Sequence, residues 1–185
     1  VSADKMNVVY RGLQNPLTIS IPGVPANLVK ANAPGLRQIK GSSYMLSPGA
    51  GDEVTISVSG RLPDGQPINT PKTFRVKDIP AAMGTVREQY GTVRMPKSGL
   101  ANTPVGAGLP DFLFDLDLQV TSFKVKVPGE LAIIVNGTKF SAAAKKALAK
   151  VRRGDMINIF DIKAEIKNSS YELKKVLPVS IELTN

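Results

Sequence analysis

The chain has 185 residues, 42% of them hydrophobic, and a formal net charge of +9 from 24 basic and 15 acidic side chains. It contains no Cys and no His, which excludes disulfides, thiolate metal sites, Cys nucleophiles and the usual general base near neutral pH. With domains of roughly 100 to 150 residues as the norm, the length fits two small domains better than one large one. Only 6 Phe and 4 Tyr are present and no Trp, so the core must come mainly from Val, Ile and Leu, which favours strands.

A Cys-free chain suits a reducing cytosol or a bacterial periplasm equally. No run of about 18 apolar residues is present. No signal peptide is visible and the chain begins at Val1 rather than Met, so a fragment of something longer is expected. The positive charge could serve nucleic acid, an anionic membrane or an acidic protein. Lys and Arg are spread along the chain without interleaved aromatic residues, which argues against nucleic acid.

Residues 5 to 77 read as seven short strands, KMNVVYRGL, PLTISI, ANLVKA, GLRQIKG, SSYML, GDEVTISVSGRL and KTFRVK, separated by Asn-Pro, Pro-Gly, Gly-Asp and Asp-Gly. In EVTISVSG, Val54, Ile56 and Val58 alternate with Thr55, Ser57 and Ser59, the mark of a half-buried strand. Such spacing predicts an immunoglobulin-like β-sandwich over residues 1–79. Asp64-Gly65 suits a tight hairpin turn, a stronger reading than Asp64 as a metal ligand.

DIPAAMG, residues 78 to 84, reads as the joint, with Pro80 extending the backbone before it and Gly84 loosening the far side. A second β-rich domain over residues 80–185 follows. After two shorter strand candidates comes FLFDLDLQVTSFKVKVPG, in which Phe112, Phe114, Leu116, Leu118 and Val120 share one face. The phase then shifts, predicting a bulge near Ser122 where the strand passes from one sheet to the next.

ELAIIVNG leads into the one good helix, at about residues 141–153. Ser141 offers an N-cap hydroxyl, and Ala144, Leu148 and Val151 share a face. Lys150, Arg152 and Arg153 complement the dipole in the last turn, and Gly154 suits the C′ position. The next strand, MINIFDIKAEI, has apolar residues on both faces at its start and on one face later. A start covered by the helix on one side and the core on the other would explain this. LPVSIEL should pair back against it.

Several short patterns have plain explanations. Arg153-Gly154-Asp155 spells an adhesive tripeptide but fits a helix cap. Asn136-Gly137-Thr138 and Asn168-Ser169-Ser170 match a glycosylation acceptor but read as turns. Asp111, Asp115 and Asp117 are the nearest thing to a carboxylate cluster. A calcium site or a hydrolase pair can be imagined there, and a solvated strand face is the simpler reading. No nucleotide, hydrolase or zinc motif is present, so no catalytic residue, metal ligand or cofactor is assigned.

The segments KMNVVYRGLQNPLTISIPGVP, TFRVKDIPAAMGTV and NGTKFSAAAKKALAKVRRGDMINIFDIKAEI occur in one order, and on them the whole chain resembles the periplasmic C-terminal region of the GldM/PorM family. It departs from that family's pattern after DIP, where AAMGTV stands in place of a further Pro and a more Gly-rich turn. The resemblance implies a non-enzymatic part of the type IX secretion and gliding-motility machinery of Bacteroidetes. Family members are anchored by an N-terminal transmembrane helix, absent here, and form homodimers. They join a proton-driven motor with GldL/PorL at the inner membrane and meet the ring proteins GldK/PorK and GldN/PorN near the outer membrane. An extracellular β-sandwich that binds carbohydrate or host protein is the alternative, favoured by any exposed aromatic platform, for which Tyr90 is the one candidate. For docking, the basic helix face of Lys145, Lys146 and Lys150 with Arg152 and Arg153 is the expected surface.

Overall fold

Alternation decides the first half of the chain. The computed structural model describes residues 7–185, and the chain divides into two units, Val1–Ile79 and Pro80–Asn185. In the first unit each of the seven runs supplies a strand: β1 (Val8–Tyr10), β2 (Asn15–Thr18), β3 (Lys30–Asn32), β4 (Leu36–Lys40), β5 (Ser43–Leu46), β6 (Glu53–Arg61) and β7 (Pro67–Lys77). Lys5 and Met6, read as part of the first strand, lie outside the described residues. Part of ANLVKA turns instead of extending, as a 3-10 turn at Ala26–Leu28.

One sheet has the order β1-β7-β6-β3 and the other β2-β5-β4. Between them lie Val9, Ile21, Val24, Val29, Leu46, Ile56, Val58 and Val76. The turn before β7 is the expected one: Gly65 has φ +82°, and the Asp64 carboxylate accepts from Gln66 N at 3.0 Å. That bond gives Asp64 a capping role. Asn15, the one buried amide among the described residues, is fully used. Its Oδ1 accepts from Tyr10 N at 2.8 Å, and its Nδ2 donates to the carbonyls of Tyr10, Leu13 and Leu46 at 2.9 to 3.1 Å.

β1 covers only the Arg75–Lys77 end of β7, which leaves Pro67 to Thr73 as an outer edge. Arg75 N donates to Asn7 O on the β1 side at 2.9 Å, so alternation aims positions 67, 69, 71 and 73 the same way. Pro67 and Pro71 have no N–H to offer there, and Lys72 falls on the inward phase. Prolines and inward charges are the devices by which a sheet edge resists pairing.

The second unit contains β8 (Ala82–Val86), β9 (Thr92–Met95), α1 (Lys97–Asn102), β10 (Val105–Gly108), β11 (Leu118–Lys126), β12 (Ile133–Asn136), α2 (Ala142–Ala149), β13 (Met156–Ile166), β14 (Val176–Leu177) and β15 (Val179–Leu183). A five-stranded sheet, β12-β11-β13-β15-β9, and a three-stranded one, β10-β8-β14, enclose its core. The chain is thus mainly β, a tandem of β-sandwich domains.

Several details differ from the sequence reading. The joint is shorter, because Ala82 and Gly84 are buried residues of β8. A cradle formed by Ile162, Leu177 and Val179 explains Gly84: a Cβ there would lie 2.3 Å from Ile162 Cδ1. A second helix, α1, is present. The strand β11 begins later than its pattern, at Leu118 opposite Ile166, and before it only Asp117 O is seen to accept from the far side, from Lys167 N at 3.0 Å. β11 is irregular at Ser122 as expected, but both halves stay in one sheet.

The change of pattern in β13 has a different cause from the one expected. Met156 and Asn158 are exposed while Ile157 and Ile159 are buried, so the start of the strand is dry on one face only. Asp161 then takes φ +48°, and between Phe160 and Lys163 the strand has one residue more than β11 opposite. This β-bulge resets the alternation and puts Ile162 and Ile166 back in the core. On β11 a second extra residue, Thr121, falls between Val120 and Ser122.

β15 pairs antiparallel with β13 as expected, and also parallel with β9. Pro178 separates it from β14, which pairs parallel with β8. No such order of strands is implied by alternation alone.

Candidate docking surface

The basic face is built on α2. Ser141 Oγ accepts from Ala144 N at 3.2 Å and caps the helix. Ala144, Ala147, Leu148 and Val151 are buried with Phe140 in the core, and the Phe140 ring meets Phe123 edge-on at 5.6 Å. Burial of Leu148 and Val151 contributes about 1.5–3 kcal/mol each. With that face inward, the lysines must point out.

Lys145, Lys146, Lys150, Arg152 and Arg153 are all exposed. Lys150 is engaged, with Nζ 2.5 Å from Glu130 Oε1. This hydrogen bond and the Lys150 charge hold the Glu130 carboxyl below its ordinary value. Among the described residues Lys145, Lys146, Arg152 and Arg153 have no carboxylate partner.

The helix stops at Ala149, so Arg152 and Arg153 stand beyond its last turn. They occupy a separate turn in which Arg152 N donates to Asp155 Oδ2 at 2.7 Å and Asp155 N donates to Arg152 O at 3.1 Å. Gly154, at φ +84°, serves this turn and not the helix C′ position. The Asp155 carboxylate of the adhesive-type tripeptide is therefore committed within the chain.

One cation escaped sequence reasoning. Lys97 Nζ donates to Val151 O at 2.5 Å and to Ala149 O at 3.2 Å, which satisfies the carbonyl end of α2. No local pattern signals this, because the partners are more than fifty residues apart.

The carboxylates of residues 111 to 117 do not converge on a site. Asp117 pairs with Lys167 at 2.6 Å, Asp115 is exposed, and Asp111 sits in a left-handed turn, φ +60°. Among the described residues no three acidic side chains are grouped so as to hold a metal. Tyr90 is 39% exposed and its hydroxyl lies against Gly108, a single ring and no platform. No helix among the described residues is long and apolar enough to cross a membrane.

Comparison with known proteins places both halves of the chain. A family model described as the GldM third domain matches residues 1–77, and one described as the GldM C-terminal domain matches residues 80–184. Curated proteins give no match. Among solved structures, the fibronectin(III)-like modules of Clostridium thermocellum CbhA are 13% identical with a TM-score of 0.31, covering 96% of this chain and 89% of that one. Mouse protocadherin-24 EC1-3 is 14% identical with a TM-score of 0.24, covering 94% and 72%. TM-scores this low support no argument. The C-terminal domains of GldM proteins are periplasmic in the family's context. With both units matched in order, the chain belongs to the GldM family, whose members are components of the gliding-motility and type IX secretion machinery.

Proposed function

We propose that the chain is a non-enzymatic transmission and docking component, periplasmic in location, that couples the inner-membrane proton-driven motor to outer-membrane-associated ring proteins. In this reading it acts as a homodimer. An upstream region supplies the membrane anchor and the contact with a GldL/PorL-type motor partner, while the second domain meets GldK/PorK-type and GldN/PorN-type rings.

The observation that carries the docking role is the set of exposed cations Lys145, Lys146, Arg152 and Arg153, which no carboxylate neutralises among the described residues. Exposed like charges steer an acidic partner and set the register of the complex. Force transmission asks only for folded domains that stay folded, and packed β-sandwiches meet that need without catalytic groups.

Calorimetric titration against a purified GldN/PorN-type ring protein tests the reading. Binding should weaken as salt rises, and Lys146→Glu with Arg153→Glu should weaken it by about tenfold or more. Binding that ignores both salt and charge reversal would sink the proposed surface.

A further inference from the structure

We propose that the outer edge of β12 pairs with the same edge of a second copy of this chain, antiparallel about a two-fold axis at Ile134. The inference rests on the dimeric reading above and names the surface that reading lacks.

Nearly every other sheet edge among the described residues carries a block to pairing. β7 has Pro67, Pro71 and the inward Lys72; β2 has Pro16. β4 is irregular between Gln38 and Lys40 and carries Arg37 and Lys40. β1 and β3 are three residues long, β9 carries Arg94, and β14 is two residues followed by Pro178. On β10, the ring of Tyr90 lies over Gly108. β12 reads Ile-Ile-Val-Asn, with no charge, no Pro and a regular register against β11. It also shows apolar surface: Leu131 is 86% exposed and Ile134 is 66% exposed. An uncharged edge matters when the partner is an identical chain of charge +9.

The hydrogen-bond phase fits a two-fold. Gly137 N donates to Thr121 O at 2.7 Å, so positions 133, 135 and 137 exchange bonds with β11. Ala132, Ile134 and Asn136 therefore turn their N–H and C=O groups outward. An axis at Ile134 sets that residue opposite its own counterpart and Ala132 opposite Asn136, so every outward group meets an outward group. Beyond Asn136 the carbonyl of Thr138 already accepts from Val105 N at 2.7 Å, so the pairing spans residues 132 to 136 only.

A salt signature follows from α2. Lys150 after the helix pairs with Glu130 before β12, so α2 runs back alongside its own strand, and the two-fold places both helices on one face of the joined sheet. Their free cations repel each other, and salt screens that repulsion. Self-association should strengthen as salt rises, the reverse of docking an acidic partner.

Because the chain has no Cys, Ile134→Cys introduces a single thiol. Residues paired at such a position have Cα atoms about 5.5 Å apart, inside the disulfide range of roughly 4.4–6.8 Å. Under mild oxidation the variant should form covalent dimers about tenfold faster than Ile39→Cys, an exposed control on β4, because pairing raises the local thiol concentration. Ile134→Lys should lower the dimer fraction in sedimentation with an unchanged melting temperature. Equal oxidation rates, or a dimer that survives Ile134→Lys, would overturn the proposal. A chain that is dimeric by light scattering yet does not cross-link through position 134 refutes this edge and leaves the dimeric reading standing. A chain that stays monomeric at every concentration and salt refutes both, and leaves the docking titration to be judged by itself.

Discussion

The carboxylate of Asp161 lies 2.7 Å from the Lys124 ammonium on the neighbouring strand, and Asp161 holds the left-handed backbone that forms the bulge in β13. Asp and Asn tolerate that conformation, whereas a β-branched residue does not. Asp161→Val should therefore lower the melting temperature of the second domain by several degrees, while Asp161→Asn should stay close to wild type. Thermal unfolding by circular dichroism separates the two. Equal effects from both variants would make the ion pair, and not the backbone, the important element.

Two carboxyls carry a pH signature. Asp161 is held below its ordinary value of 3.8, chiefly by the hydrogen bond from Lys124 and then by its charge. Lys150 does the same for Glu130, whose ordinary value is 4.5. A folded-state value below the unfolded one means the contribution is present above the ordinary value and fades as pH falls through the folded one. Melting temperature should thus be flat from neutral pH to about pH 5 and fall below about pH 4. The fall should be smaller in the double variant Asp161→Asn, Glu130→Gln.

Gly84 faces Ile162 with no room for a methyl group. Gly84→Ala should cost about 1–3 kcal/mol in denaturant unfolding, as overpacked sites do. Adding Ile162→Val should recover part of that loss. A neutral Gly84→Ala would show that the cradle yields.

Asn15 holds its own stretch together through Tyr10 and Leu13 and ties it to β5 through Leu46. Asn15→Leu would leave several of these groups without partners, at about 1–3 kcal/mol per buried group. The expected result is the loss of at least about 2 kcal/mol of stability in urea, and a loss near zero would mean water replaces the amide.

Not all cations near α2 are equivalent. Lys97→Met removes the donor at the carbonyl end of the helix and should destabilise the domain by about 1 kcal/mol. Lys145→Met and Lys146→Met should leave unfolding unchanged, since both side chains are exposed. Differential scanning calorimetry of the three variants gives the comparison.

What was legible in the sequence follows from period. The strands of the first 77 residues showed because alternation and turn residues recur closely, and α2 showed because Ser141 and the apolar face at Ala144, Leu148 and Val151 mark it. α1 was missed: it is six residues long, contains Gly99 and has no side-chain cap. In β13 alternation could not tell two-sided burial from a bulge, since both put apolar residues at adjacent positions. Residues 112 to 117 carry a strand pattern yet precede β11, which begins at Leu118, because pattern records what a segment could bury and not where its neighbours end. Of the docking surface, the exposed lysines were readable from helix geometry. The committed carboxylate of Asp155 and the role of Lys97 depend on contacts that a local pattern does not encode.

The extra residue at Asp161 is matched by the extra residue at Thr121 on the facing strand, and the pairing offset is the same on either side of the two. The ladder therefore contains two cancelling errors of length. Deleting either residue alone would leave one half of β13 a step out of phase and turn its apolar side chains toward solvent. Deleting both would restore a plain ladder. In relatives of this chain, gains and losses of length at these two places should come together, so that an apparent gap in one strand is understood only beside the gap in the other.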